Sequence, residues 1–423
     1  MRFRFCRFSL GLLLASVLQA APASAPPLPI AVPAAVGLDA TRLDRLHRFM
    51  QAQIDTGHYL GAVTMIARHG RLADVSIHGY RNLARTEPLA PDTIFRIYSM
   101  TKAITSVAAM ILMEEGRLGL EDPVAKYLTE FAAPRVLVGG TADNPKLAPA
   151  ASPMTIRQLL THTAGFTRPD AIKGGEVGEL YLRADLGAAT SLADYTRRLA
   201  RLPLADQPGT AFHYGTSTDV LGRVIEVVSG QPFERFLQER IFQPLGLRDT
   251  SFTVTPAERH RIAQMTTSDD AGVLRPHPVE TTIVPGEMLN SFPSGAGGLY
   301  STPNDYLRFC QMILNGGSLD DVKILGRKTV ELMRQNHLTQ LNPPVHEFSR
   351  AEGFGLGWYV VLDVARRGRP GSVGQFGWSG AGSTYFTIDP QEDLIALLFM
   401  QHLPQDPHKI NGTFYTLVYQ ALD

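Results

Sequence analysis

Cysteine is almost missing from this chain of 423 residues: there are two, Cys6 and Cys310. Cys6 falls in a basic and apolar leader, so a chain without the leader keeps Cys310 alone and can form no internal disulfide. Cys310 lies in the helix-like apolar run 306–314, where a buried structural thiol is expected rather than a nucleophile. An excess of either charge is missing too. Forty basic side chains meet forty acidic ones, which excludes the electrostatic footprint of a nucleic-acid binder. No stretch after the leader is long and apolar enough for a membrane helix. No His-Glu-x-x-His or similar cluster points to a metal, and no cofactor is expected. Lysine is scarce, seven residues in all, so a lysine at a meaningful spacing stands out.

The leader itself is informative. Arg2, Arg4 and Arg7 open it, Phe8 to Val17 is apolar but too short to span a bilayer, and Ala-x-Ala patterns follow at Ala21/Ala23 and Ala23/Ala25. This reads as a secretory signal over residues 1–25 and predicts export to the periplasm or beyond. Residues 26–35, rich in Pro and Ala, are expected to form a linker. The remaining residues, 36–423, read as one catalytic domain.

Apolar spacing predicts a helix over 38–54. Two strands, Gly61 to Ala67 and Leu72 to His78, are expected to join at His69-Gly70. A long helix is predicted from Ser99 to Glu115, with Gly116 as its stop. Residues 133–153 read as a surface insertion. Further helices are expected at 156–160 and 218–228, final strands at 383–388 and 394–400, and a closing helix from about 411. Strands at both ends and helices between them predict an α/β architecture: one antiparallel sheet built from both termini and flanked by helices (about 36–95 and 340–423), with an inserted, mainly helical lobe (about 96–339).

Three stretches carry chemistry. The first is Ser99-Met-Thr-Lys102. A serine hydroxyl needs a base to become a nucleophile, and residues three apart on a helix share a face. Ser99 at a helix start also meets the positive end of the backbone dipole. With twenty serines and seven lysines, this spacing arises easily by chance. The second is Gln207 to Gly222, in which Pro208-Gly209 turns the chain and Tyr214 precedes a helix. A tyrosine is a poor base at neutral pH, but an ammonium such as Lys102 stabilises a phenolate, and the two would titrate as a unit. The third is Gln375 to Pro390, a glycine-rich approach to a strand whose edge can hold an acyl group and supply an amide N–H to an oxyanion.

Together these stretches resemble the serine β-lactamase-like superfamily: class C β-lactamases, D,D-peptidases and family VIII carboxylesterases. The resemblance spans about residues 36–420 and includes 155–165, 294–302 and 353–358. It implies a β-lactamase-like fold, an acylated Ser99, proton transfer by Lys102 and Tyr214, and an oxyanion hole from the backbone N–H groups of Ser99 and Ala381. Two departures matter. Thr216 stands where class C enzymes have an asparagine that helps hold an amide. Trp378-Ser379-Gly380 stands in place of Lys-Thr-Gly or His-Thr-Gly, as in family VIII esterases. A lysine or histidine there pairs with a substrate carboxylate; tryptophan offers an apolar wall and one N–H. Thr216, Trp378, Ser379 and Gly380 are therefore expected to contact a neutral, hydrophobic acyl or alcohol group, and a small-molecule ester is the expected substrate.

The competing readings are β-lactam or D,D-peptide cleavage, acyl transfer to an alcohol, and a non-catalytic module that binds lipid or peptidoglycan. An α/β-hydrolase elbow is not matched, since Gly377-Trp-Ser379-Gly-Ala381 lacks its last glycine. His162 and His213 are expected to be structural.

Overall fold

The computed structural model describes residues 27–339, 341 and 351–423. The expected signal, residues 1–25, lies outside the described residues. The stretch read as a linker lies against the fold: Leu28 is buried, and Ala31 and Pro29 exchange backbone hydrogen bonds with Leu72 at 3.0 and 2.9 Å.

One seven-stranded sheet organises the molecule. Its strands are β1 (Gly61–Arg68), β2 (Arg71–Gly79), β3 (Glu352–Phe354), β4 (Tyr359–Val361), β5 (Phe376–Gly380), β6 (Thr384–Asp389) and β7 (Leu394–Phe399). Their order is β3-β4-β5-β6-β7-β1-β2, antiparallel throughout. The N-terminal hairpin thus completes a sheet whose other strands come from the C-terminal part of the chain. The β1–β2 turn has positive φ at His69 and Gly70, 54° and 70°, the pair of left-handed residues that matches strand twist.

Side-chain alternation splits the core into two layers. In β7, Ile395, Leu397 and Phe399 face inward toward α2 (Thr101–Glu114) and α4 (Pro303–Leu314). Leu394, Ala396 and Leu398 face outward, where α1 (Ala40–Asp55) and α5 (Ile410–Tyr419) cover them. A strand buried on both faces needs no polar alternation, which explains the run Leu-Ile-Ala-Leu-Leu-Phe. The outer helices pair through their apolar stripes, Leu43, Leu46 and Met50 against Phe414 and Val418.

Between the two parts of the sheet the chain is mainly helical. It includes α3 (Ser217–Ser229), which packs on α2, and the hairpin Arg135–Thr141 with Asn144–Pro149, in the region read as an insertion. From Thr101 to Leu112 every residue of α2 is buried, Lys102 included. No described helix is long and apolar enough to cross a membrane.

Candidate active site

The segment before α2 is fixed by its backbone. Phe95–Arg96 pairs with Tyr300–Ser301, and the Ile97 N–H bonds to the Leu299 carbonyl at 3.0 Å. Tyr98 then adopts φ +40°, a left-handed conformation that costs a bulky residue of order 1 kcal/mol or more. A 3-10 turn over Tyr98–Met100 follows, and the α-helix begins at Thr101. This differs from the expected single helix starting at Ser99. Ser99 and Lys102, three apart across this junction, still share a face. Lys102 Nζ donates to Ser99 Oγ at 3.2 Å and to the Ala296 carbonyl at 2.6 Å. Ser99 is half-buried, whereas Lys102 is only 4% exposed.

Tyr214 completes the group. The Lys102 ammonium lies over its ring, 4.6 Å from the centroid, and the Arg168 guanidinium is 5.4 Å from the same centroid. Trp378 Nε1 donates to the Tyr214 hydroxyl at 3.3 Å, and the two rings lie 5.3 Å apart. The three chemistry-bearing stretches therefore meet in one place. His162 packs 4.8 Å from the Tyr214 ring. Burial first, then Lys102 and Arg168, push its imidazole well below the usual range, so it is neutral. His213 bonds to Asp206 instead of facing the group.

The third motif divides between the two faces of the sheet. Trp378 faces inward to the Tyr214 side, against Phe354 at 5.2 Å. Ser379 pairs across from Tyr385 on the outer face and lines a cavity of about 160 Å³ with Arg369, Asn411 and Tyr415. Gly380 abuts the nucleophile segment: a Cβ there would stand 2.3 Å from the Ile97 carbonyl oxygen. The turn at Ala381–Gly382 continues this contact, since a Cβ on Gly382 would come within 3.1 Å of the Tyr98 ring. Only glycine allows so close an approach of strand end to nucleophile. Thr216 is buried at the N-cap of α3 and lies beside the Tyr195 phenol. Cys310 is fully buried in α4.

Sequence reasoning did not single out Tyr98, Arg168, Asp219 or Ala296. Tyrosine carries no signal for positive φ, and the partners of Arg168 and Asp219 are remote in sequence. Among the described residues no group of His, Cys, Asp and Glu could hold a metal ion.

Sequence comparison places the chain in a class. The chain matches the Beta-lactamase family over residues 46–420. It belongs to that family, and is a serine hydrolase of the β-lactamase and esterase type. A relative of particular likeness is an uncharacterized protein of Mycobacterium tuberculosis (strain CDC 1551 / Oshkosh), 37% identical over 358 residues, 83% of this chain and 88% of the relative. Esterase EstB of Burkholderia gladioli is 29% identical over 387 residues, 86% of this chain and 92% of that protein. Among solved structures, EstCE1, described as a hydrolase with promiscuous acyltransferase activity, superposes with a TM-score of 0.75 at 26% identity. It covers 90% of this chain and 98% of its own.

Proposed function

We propose that this protein cleaves carboxylic esters through an acyl-Ser99 intermediate, with Lys102 and Tyr214 as the proton-transfer pair. The observation that carries this reading is Lys102 Nζ, 3.2 Å from Ser99 Oγ and 4.6 Å from the Tyr214 ring centroid. In acylation, Ser99 Oγ bonds to the ester carbonyl carbon and its proton passes to the Lys102/Tyr214 pair. The pair returns that proton to the departing alcohol. Water then repeats the cycle and releases the acid. The negative oxygen of each tetrahedral intermediate would accept hydrogen bonds from the Ser99 and Ala381 amides; loss of one such donor costs about 3 kcal/mol of barrier.

The substrate class follows from Trp378. Its one N–H is directed at Tyr214, so it has no cation to offer a substrate carboxylate. Gly380 on the strand edge and the Trp378 ring suit a neutral, apolar acyl or alcohol group; Ser379, turned to the outer face, and Thr216, buried beside Tyr195, lie outside this contact. The likeness to Esterase EstB supports the ester over the β-lactam or D,D-peptide. Acyl transfer to an alcohol uses the same acyl-enzyme, and the likeness to EstCE1 favours it as a second reading. Retention of Ser99, Lys102 and Tyr214 argues against a non-catalytic module. Export by residues 1–25 is part of the proposal and predicts a shortened N-terminus in the exported protein.

The test is hydrolysis of short-chain p-nitrophenyl esters. With deacylation the slower step, a burst of p-nitrophenol equal to the enzyme concentration is expected, because the acyl-enzyme accumulates after the alcohol has left. Ser99→Ala should lose the burst and at least ~10³-fold in kcat. Full activity in that variant overturns the proposal. A chromogenic cephalosporin hydrolysed better than the ester would overturn the argument from Trp378.

A further inference from the structure

A buried carboxylate stands behind the lysine. Asp219 lies in the first turn of α3, five residues after Tyr214, and is 6% exposed. Its Oδ1 accepts from Ser294 Oγ at 2.6 Å and from the Ala296 N–H at 3.1 Å. The carbonyl of that same Ala296 accepts from Lys102 Nζ at 2.6 Å. The intervening Gly295 is pinned as well: Thr105 Oγ1, from α2, donates to its carbonyl at 2.8 Å. A Cβ on Gly295 would lie 2.7 Å from the Thr218 carbonyl oxygen. The loop is thus clamped between the helix that carries Lys102 and the helix that follows Tyr214.

Resting on the acyl-Ser99 reading above, we infer that Asp219 is the positioning residue for Lys102. It holds the loop at residues 294–296 so that the Ala296 carbonyl keeps the ammonium against Ser99 and under Tyr214. A carboxylate buried this deeply is expensive unless it is hydrogen-bonded and faces a cation. A purely structural role would be served by a neutral, well-packed side chain. Burial raises the Asp219 carboxyl above its usual range, while Ser294, Lys102 and the amides of Ala296 and Gly295 oppose that rise and favour the ionised form. The groups around the pair are Lys102 on α2, Tyr195 on the helix Leu192–Leu199, Tyr214, and the more distant His162 and Arg168. Asp219 is the carboxylate among them.

The test is the kinetics of Asp219→Asn and Ser294→Ala on the p-nitrophenyl ester, beside wild type and Ser99→Ala. Asp219→Asn keeps an acceptor oxygen and removes the charge. Its kcat is expected to fall about 10²-fold, as for a slightly misplaced catalytic group, with KM nearly unchanged. Ser294→Ala keeps the charge and removes one donor. It should lower kcat severalfold, again with KM nearly unchanged. A soluble Asp219→Asn enzyme with wild-type kcat overturns the inference. Should that variant not fold, Ser294→Ala decides: a wild-type kcat overturns, a lowered kcat at constant KM supports. Full activity in Ser99→Ala sinks the parent reading, whatever Asp219 does. An inactive Ser99→Ala beside wild-type Asp219 and Ser294 variants sinks this inference alone.

Discussion

At the scale of the residue, the proposed mechanism gives the tryptophan of the third motif a more specific task than that of an apolar wall. Trp378 donates its indole N–H to the Tyr214 hydroxyl at 3.3 Å. A donor aimed at that oxygen stabilises a phenolate more than a phenol. Hydrogen bonds to charged groups contribute about 1.5–3 kcal/mol, so losing this one slows catalysis by about tenfold or more. Trp378→Phe keeps an aromatic ring and removes the donor. Its kcat is expected to drop by at least that factor with KM little altered, and steady-state kinetics over pH will show it. An unchanged kcat would mean the bond does not operate during turnover. Ser99, Lys102, Tyr214 and Trp378 were all legible in the sequence because each sits in a short motif whose chemistry is local. Asp219 was not. It acts on Lys102 through Ser294 and Ala296, some 75 residues away in sequence, and no spacing rule connects those positions.

Among the elements, long apolar periods were readable and short or strained pieces were not. Helix α1, the β1–β2 hairpin with its His69-Gly70 turn, α3, β6, β7 and α5 all lie near their expected ranges. Strands β3 and β4 were missed because three residues each are too few to show alternation. The start of α2 was misplaced because tertiary contacts hold Tyr98 at positive φ. The Tyr306 hydroxyl bonding to the Met100 carbonyl at 2.9 Å and the end of β5 against Ile97 are such contacts. The turn after β5 is braced from behind in the same way. The His402 N–H bonds to the Gly382 carbonyl at 3.1 Å, and Ser383 Oγ donates to the His402 carbonyl at 2.9 Å. Burial, aided by His408 and His277, lowers the His402 imidazole from 6.5 to about 4. Between those values the unfolded chain binds the extra proton and the native state does not. Stability from this group is therefore present above pH 6.5 and is lost as pH falls toward 4. The loss is of order 2 kcal/mol after allowance for solvent screening. Melting temperatures measured from pH 7 to 4 should fall, and His402→Gln should fall less steeply. Equal slopes would refute the assignment to His402.

The whole molecule gathers its site from segments spread over most of the chain: 98–102, 162–168, 214–219, 294–296 and 378–382. No one lobe contains it. The two parts that can be distinguished by composition, sheet and helices, share one inner core. Phe399 on β7 meets Phe95 edge-on at 5.4 Å, three residues before Tyr98, and meets Tyr306 of α4 at 6.2 Å. It also stands opposite Val63 of β1 and Thr384 of β6. One side chain thus touches the sheet, the nucleophile segment and the helical lobe. Truncating a buried phenylalanine costs about 3–5 kcal/mol. If the lobes were independent, Phe399→Ala would melt the sheet first and leave a second, unshifted transition in the helices. A shared core predicts otherwise. Near-UV and far-UV circular dichroism and residual ester hydrolysis should all be lost together, at a temperature several degrees below wild type. Two separated transitions, with activity following only one of them, would show that the lobes unfold apart and that the continuity of the core does not couple them.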